Sequence, residues 1–414
     1  MNILQINTCH YPRGGSETVY FNTSQILTEH GHKVAFFSSK NHANLETEFE
    51  RFFIPFVNIR ELSTIDKVKQ ISDYLYNKVT IRNLELLLNY FKPDIAHVHL
   101  FYGVLSVSVL KTLKKHNIPV VHTVHDYRLL CPAKTFMTIH NQICESCSGK
   151  RYFNCLMKGC SEGKISQSGL LMLEAYFWKF FMDPVDYIDH VIFVSKFIQQ
   201  KHIEFDSRYK YKNSHLYNFT FTQDKTTDLI KGDYFLFYGR LSPEKGLKVL
   251  LETFAQTKFK LKIAGSGPLL DYVMDYVNKF SNIEYLGFQT GEILKNLIKN
   301  SSFVIVPSIW YENNPMTVIE AFSYGKPVIG ADIGGIPELI QHGENGYLFT
   351  QNNKEALHSI IEKASNISDE EYRKFSEYSV KFAKEHFDPE RHYVELMDIY
   401  QNTIQKASES KVRG

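Results

Sequence analysis

The 414-residue chain has no stretch approaching the ~20 consecutive apolar residues that a membrane-spanning helix needs. It has no low-complexity tract, no internal repeat and no long basic run, and its formal net charge is only +2. Those absences argue against a transmembrane protein, a disordered chain and a nucleic-acid binder, so no nucleic-acid partner is expected. The opening "MNILQINTCH" carries no basic leader and no cleavage site, and reads as a short apolar strand followed by a loop. A cytoplasmic location is expected. With 43% hydrophobic and 22% charged residues, the composition is that of a folded globular protein, and the length suits two domains with separate cores.

Cysteine is scarce and uneven. Cys9 stands alone, while Cys131, Cys144, Cys147, Cys155 and Cys160 crowd into thirty residues. The Cys144-x2-Cys147 spacing is that of a zinc knuckle, and Cys155 and Cys160 would complete four thiolate ligands. There is no second tight pair, so reduced, metal-free thiols are the competing reading. A closed four-thiolate site has no open position, which argues for a structural and against a catalytic metal.

What the sequence does have is alternation. The segments "NILQIN" (2–7), "KVAFFSS" (33–39), "DIAHVHL" (94–100), "PVVHTVH" (119–125) and "HVIFVS" (190–195) are short apolar strands separated by helix-length stretches. One such stretch is a helix from about Glu17 to His30. The pattern restarts with "YFLFYGR" (234–240) and continues through "FKLKIAG", "IEYLGF", "FVIVPS", "PVIGA" and "GYLF" (346–349). Repeated β-α-β alternation predicts parallel sheets with helices on both faces. The expected fold class is α/β, two doubly wound Rossmann-like domains facing a central cleft. The polar segment 215–232 marks the join, placing one domain at 1–216 and the other at 217–389. A cysteine-rich insertion (131–160) belongs to the first, and a C-terminal helix at about 390–414 is expected to pack back on it. The aromatic segment "GLLMLEAYFWKFFMD" (169–183) reads either as a core helix or as an interfacial one, with Lys150, Arg151, Lys158 and Lys164 suited to anionic headgroups.

Four stretches carry candidate chemistry. In "PRGGSETVYF" (12–21), Gly14 and Gly15 would let a ligand approach the backbone where a helix begins, with Ser16 as its cap. This loop is neither a dinucleotide fingerprint nor a Walker loop. In "YGRLSPEKGLKVLLETF" (238–254), Arg240 and Lys245 flank a strand-to-helix turn, where two cations suit a diphosphate. In "VHTVHDYRLLCP" (121–132), His125 and Asp126 fall at a strand end, the usual place for a site, while His122 reads as core; His97 and His99 share that edge. In "WYENNPMTVIEAFSYGKPVIG" (310–330), Glu312 and Glu320 stand eight positions apart with a helix start between them. Asn314 is the expected cap, Pro315 the first helical residue, and Gly325 the stop.

Taken together with "AGSGP" (264–268) and "GGIPELIQHGENGYLF" (334–349), these stretches resemble glycosyltransferase family 4, retaining enzymes of the GT-B fold, over nearly the whole chain and in the family's order. The Glu312-x7-Glu320 spacing is that family's signature. The resemblance implies a nucleotide sugar (UDP-, GDP- or ADP-sugar) held mainly by the second domain, with Glu320 accepting from the ribose hydroxyls. Glu312 would lie by the sugar, and the N–H groups of Met316 and Thr317 would meet diphosphate or sugar. Gly265 would admit the base, with Phe288 bordering it. Arg240 and Lys245, aided by Gly14 and Gly15, would stabilise the departing diphosphate, and His125 would address the sugar from the first domain. The resemblance also implies retention by front-face attack, and a glycan or lipid-linked acceptor of surface-polysaccharide assembly, with peripheral membrane contact possible at the aromatic segment. The sequence contains no Asp-x-Asp pair to hold a metal, so no cofactor is expected to be required. Asn313 stands where many members have glycine, which puts the sugar pocket in question. A nucleotide-sugar 2-epimerase and a noncatalytic binding homologue are the competing readings; the full set of phosphate and sugar ligands favours transfer.

Overall fold

The computed structural model describes residues 1–56, 64–161, 163–221 and 230–413. They form two compact units, Met1–Leu216 with Glu390–Gly414, and Tyr217–Pro389. Part of the joining segment, residues 222–229, lies outside the described residues.

The first unit contains β1 (Asn2–Ile6), β2 (Lys33–Phe37), the short pair β3 (Ser39–Lys40) and β4 (Ile54–Pro55), then β5 (Ile95–Val98), β6 (Val120–Val124), β7 (His190–Phe193) and β8 (Asn213–His215). Its main sheet runs β2-β1-β5-β6-β7-β8, parallel throughout. The second unit contains β9 (Tyr234–Tyr238), β10 (Lys260–Ala264), β11 (Ile283–Tyr285), β12 (Val304–Val306), β13 (Val328–Ala331) and β14 (Gly346–Phe349), in the order β11-β10-β9-β12-β13-β14. Both sheets are doubly wound, as the alternation predicts. Central strands such as β5, β6 and β9 are buried along their length, which is why they read as mostly apolar runs and not as alternating ones. β8 is too short and polar to have been read from the sequence.

In each sheet the chain starts near the middle, works outward to one edge, and returns to build the other side. The reversal lies between β1 and β5 in the first unit and between β9 and β12 in the second. Open α/β sheets bind ligands at the carboxyl ends of the strands flanking such a reversal. The loops after β9 and β12 carry Arg240, Lys245 and Glu312.

The helix Pro389–Arg413 completes the first unit. Leu396, Met397 and Tyr400 pack with Ile3, Leu27, Ile95, Val121 and Ile192 in one core cluster. The Tyr400 hydroxyl meets His97 Nδ1 at 2.6 Å.

The aromatic segment becomes the helix Ile165–Phe181. One face, with Leu171, Glu174, Ala175 and Trp178, is buried. The opposite face leaves Ile165, Leu173, Phe180 and Phe181 exposed, and Phe153 and Met157 of the preceding helix Phe153–Met157 are exposed as well. The buried face is that of a core helix, and the remaining apolar side chains face outward. Lys150 is a correction: its ammonium pairs with Asp183 (3.1 Å) and Asp206 (3.4 Å), so it serves the fold and not a surface. Among the described residues, no helix is long and apolar enough to cross a membrane.

Replacing the fully buried Tyr400 with alanine should remove about 3–5 kcal/mol from the stability of the unit that holds it. Urea unfolding checks this, and an unchanged midpoint would show that the ring does not anchor the helix.

Candidate active site

The second unit builds its site where β9 and β12 end. After β9 the chain makes the turn Pro243–Lys245 and enters the helix Leu247–Phe254 through Gly246 at φ 72°. A Cβ on Gly246 would lie 1.8 Å from the Pro307 carbonyl oxygen, so only glycine lets these two loops touch. That approach sets the Lys245 ammonium 2.6 Å from Glu312 Oε1, while the Ser308 hydroxyl donates to the same oxygen at 2.7 Å. Glu312 is only 6% exposed. Burial works against its charge, but the Lys245 ammonium and the hydrogen bonds it receives hold its carboxyl below the ordinary value. The two residues expected to address sugar and diphosphate separately thus form an ion pair. Arg240, at the end of the same strand, is exposed.

The helix Met316–Ser323 follows directly. Pro315 is its cap residue, and no side chain caps its first turn. Asn314 is therefore a correction: its Oδ1 accepts from the Asn218 backbone N–H (2.7 Å) and its carbonyl from Asn218 Nδ2 (3.1 Å), which fastens the loop to the start of the unit. Among the described residues, the opening turn with Met316 and Thr317 has no side-chain cap, at the helix end where anions are favoured. The helix stops at Gly325, whose N–H reaches the Phe322 carbonyl while that of Lys326 reaches Ala321.

One turn in, Glu320 Oε2 accepts from the Tyr238 hydroxyl at 3.0 Å. With no cation beside it, burial pushes this carboxyl up to about 7 against that single hydrogen bond. The two glutamates therefore differ in kind, one held ionised and the other poised to titrate near neutrality. Gly265 lies against Gly239, where a Cβ would stand 1.9 Å from the Gly239 carbonyl oxygen. Phe288, beyond β11, is 68% exposed.

The first unit holds the remaining candidates. Gly14 caps and Gly15 begins the helix Gly15–Glu29, with no side-chain cap. Ser16 is a correction, since its hydroxyl donates to Glu17 Oε2 at 3.0 Å. Gly14 has an extended φ of −173°, and a Cβ there would find only ordinary contact with Glu17. His125 follows β6, its Nε2 2.8 Å from His99 Nδ1. His122 takes the core fate: it is fully buried, with Nδ1 2.9 Å from the Val98 carbonyl. A cavity of about 540 Å³ opens beside Asp126 and Arg128, with Ile54, Tyr102 and Leu170 among its apolar walls. Arg128 and the buried Glu174 form an ion pair next to it.

The cysteine expectation is corrected too. Cys144 Sγ lies by Lys158 (3.3 Å) and Ser146 (3.4 Å), whereas Cys147 and Cys155 turn into an apolar cluster with Tyr152, Leu171 and Ala175. Burial pushes the Cys147 thiol up to about 12. Among the described residues, no group of three or more His, Cys, Asp or Glu is arranged to hold a metal ion.

Sequence reasoning missed Tyr238, Ser308 and Asn218, the three residues that hold Glu320, Glu312 and Asn314. Tyr238 and Ser308 sit at or just past the ends of apolar strands, and that position was the available signal. A carboxyl raised from 4.5 to about 7 takes up protons on folding, so stability falls as pH rises between those values. Glu320→Gln should accordingly stabilise the protein above pH 7, by on the order of 1–3 kcal/mol, and leave it unchanged below pH 4.5. Denaturant melts at both pH values check it.

Comparison with known proteins agrees with this geometry. The family "Glycosyltransferase Family 4" matches residues 13–210 and the family "Glycosyl transferases group 1" matches residues 221–382. An uncharacterized 42.6 kDa protein in the cps region of Klebsiella pneumoniae is 27% identical, covering 82% of this chain and 87% of its own. A putative colanic acid biosynthesis glycosyltransferase, WcaL of Salmonella typhimurium, is 30% identical over a shorter stretch, 31% of this chain and 35% of its own. Among solved structures, sucrose-phosphate synthase from Thermosynechococcus elongatus superposes with a TM-score of 0.70 at 17% identity over 98% of this chain and 99% of that one. HepE of Anabaena, in complex with UDP and glucose, gives a TM-score of 0.64 at 17% identity over 99% and 100%. At such identity the structural likeness speaks for the fold. With one glycosyltransferase family model matching each unit, the chain is a glycosyltransferase of the GT-B fold.

Proposed function

We propose that this glycosyltransferase moves a sugar, with retention and without a metal, from a nucleoside diphosphate sugar to a hydroxyl of a glycan or lipid-linked glycan acceptor in surface-polysaccharide assembly. The observation that carries the reading is the uncapped helix start at Met316, flanked by the ionised, lysine-paired Glu312 and the titrating Glu320. In this reading Glu320 accepts from the ribose hydroxyls, and the N–H groups of Met316 and Thr317 take the diphosphate or a sugar hydroxyl. Glu312 meets the donor sugar. Gly265 leaves room for the base, and the exposed ring of Phe288 gives it a surface to stack on. In this reading the Gly14-Gly15 loop lets the donor's diphosphate come close to the backbone at the start of its helix. His125 addresses the sugar.

The acceptor oxygen forms the new bond at the anomeric carbon as the bond to the diphosphate breaks on the same face. The acceptor's hydroxyl proton passes to the leaving phosphate oxygen. Arg240 and Lys245 stabilise the charge that develops there, as preorganised cations do without further rearrangement. Lys245 is already tied to Glu312, so its position is fixed before the donor arrives. The cavity by Asp126 and Arg128, lined by both apolar and polar side chains, supports an amphiphilic acceptor. Work at the cytoplasmic face of a membrane is supported by the exposed Phe153, Met157, Phe180 and Phe181 beside Arg151, Lys158, Lys164 and Lys179. The relatives in a cps region and in colanic acid biosynthesis fit the same setting.

Incubation with UDP-, GDP- and ADP-sugars and a set of acceptors should yield nucleoside diphosphate and a product of unchanged anomeric configuration. Arg240→Ala and Lys245→Ala should each lower turnover by ~10², and chelators should leave it intact; loss with EDTA, restored by Mg²⁺, would overturn the metal-free mechanism. Separately, Phe180→Ser with Phe181→Ser should weaken sedimentation with anionic liposomes by tenfold or more. A parent protein that ignores such liposomes would remove the membrane from the proposal.

A further inference from the structure

Beneath His125 runs a row of buried side chains that the proposed chemistry does not use. His125 Nε2 lies 2.8 Å from His99 Nδ1, and His99 Nε2 lies 2.9 Å from Gln5 Oε1. The His99 and His125 rings are nearly coplanar, 12° apart with centroids at 5.1 Å, and His97 stacks on His99 at 4.3 Å. Gln5 and His99 are completely buried, and His97 nearly so. Gln5 stands on β1, His97 on β5 with His99 directly after it, and His125 directly after β6. Three adjacent strands thus bring the row to one sheet edge.

With the Gln5 amide oxygen turned toward His99, each proton in the row follows. A carboxamide oxygen only accepts, so His99 Nε2 bears hydrogen and donates to Gln5. A neutral imidazole has one N–H, which leaves His99 Nδ1 as an acceptor, and His125 Nε2 must then donate to it. Neutrality is secured by burial, which holds His97 and His99 well below the ordinary histidine value and brings His125 down to about 3. We propose that Gln5 and His99 are positioning residues for transfer: they fix the ring plane and tautomer of His125, so that Nε2 carries the proton and Nδ1 is the ring's acceptor atom. This rests on the reading that His125 meets the donor sugar. It adds that a sugar hydroxyl meeting this ring at Nδ1 gives its hydrogen and does not receive one. Gln5 lies beside Tyr400, whose hydroxyl contacts His97, so the row ends against the C-terminal helix.

The test reads nitrogen states directly. In the full-length protein labelled with ¹⁵N-histidine, the His125 signals are identified by their absence in His125→Ala among the 17 histidines. They should show a protonated Nε2 and an unprotonated Nδ1, unchanged from pH 6 to 8. A Gln5 amide turned the other way would reverse the row and put the proton on His125 Nδ1, and that spectrum would overturn the proposal without any variant. His99→Phe keeps a flat ring but has no acceptor; it should give His125 a mixture of tautomers and a tenfold or greater loss in kcat with little change in KM. His99→Gln offers an amide oxygen and should restore much of both. If His99→Phe only lowers the melting temperature and leaves the His125 spectrum and kcat as in the parent, the row is structural and the proposal fails. Parental transfer by His125→Ala would instead strike the role of His125 under the proposed function, while the spectrum would still report the tautomer.

Discussion

The Lys245–Glu312 pair is the contact on which the second unit's site depends. A carboxylate this deeply buried is tolerable only with its charge answered, and removing one member of such a pair leaves the other uncompensated. The pairing needs the turn after β9 and the loop after β12 to touch, hence glycine at 246. It also needs the loop held from behind, by Ser308 on the carboxylate and by the Gly335 N–H, 2.6 Å from the Glu312 carbonyl. Once these are in place the direction of the chain into the helix at Met316 is set. The helix mouth then opens beside a neutralised pair and not beside a bare negative charge, which would repel an anionic ligand.

The two units share one architecture and differ in what lies at the ends of their central strands. The second concentrates ions at its sheet edge. The first, at the corresponding edge, buries neutral imidazoles and a carboxamide whose hydrogen bonds orient one another. Low dielectric strengthens both arrangements, but an ion pair fixes charge whereas a neutral row fixes the position of hydrogens. A transferase handling a charged leaving group and an uncharged sugar has use for each.

Much of this was legible in the sequence, and most of the failures share one cause. Strands were readable because parallel central strands are mostly apolar runs, and "GYLF" at 346–349 is β14 to the residue. The helix stop at Gly325 was legible because its hydrogen bonds are local. Asn314 was misread because its partner, Asn218, lies 96 positions away, and local propensity yields to such a contact. Lys245 and Glu312 stand 67 positions apart, and only the fold shows that they hold each other. Lys150 looked like a surface cation because its carboxylate partners, Asp183 and Asp206, are 33 and 56 positions downstream. The cysteine spacing suggested a ligand set, but spacing is silent on where each sulfur points.

The helix that carries Tyr400 also bears on the order in which the protein can be made. Residues 1–216 leave the ribosome first, yet their core lacks the ring and the leucine that fill it until the last helix has emerged, after the whole of the second unit. Vectorial synthesis favours folding from the N-terminus. Here the second unit, continuous in sequence, can close on itself as soon as it is released, while the first waits with an apolar groove unfilled. The earlier half of the chain is thus the later to mature.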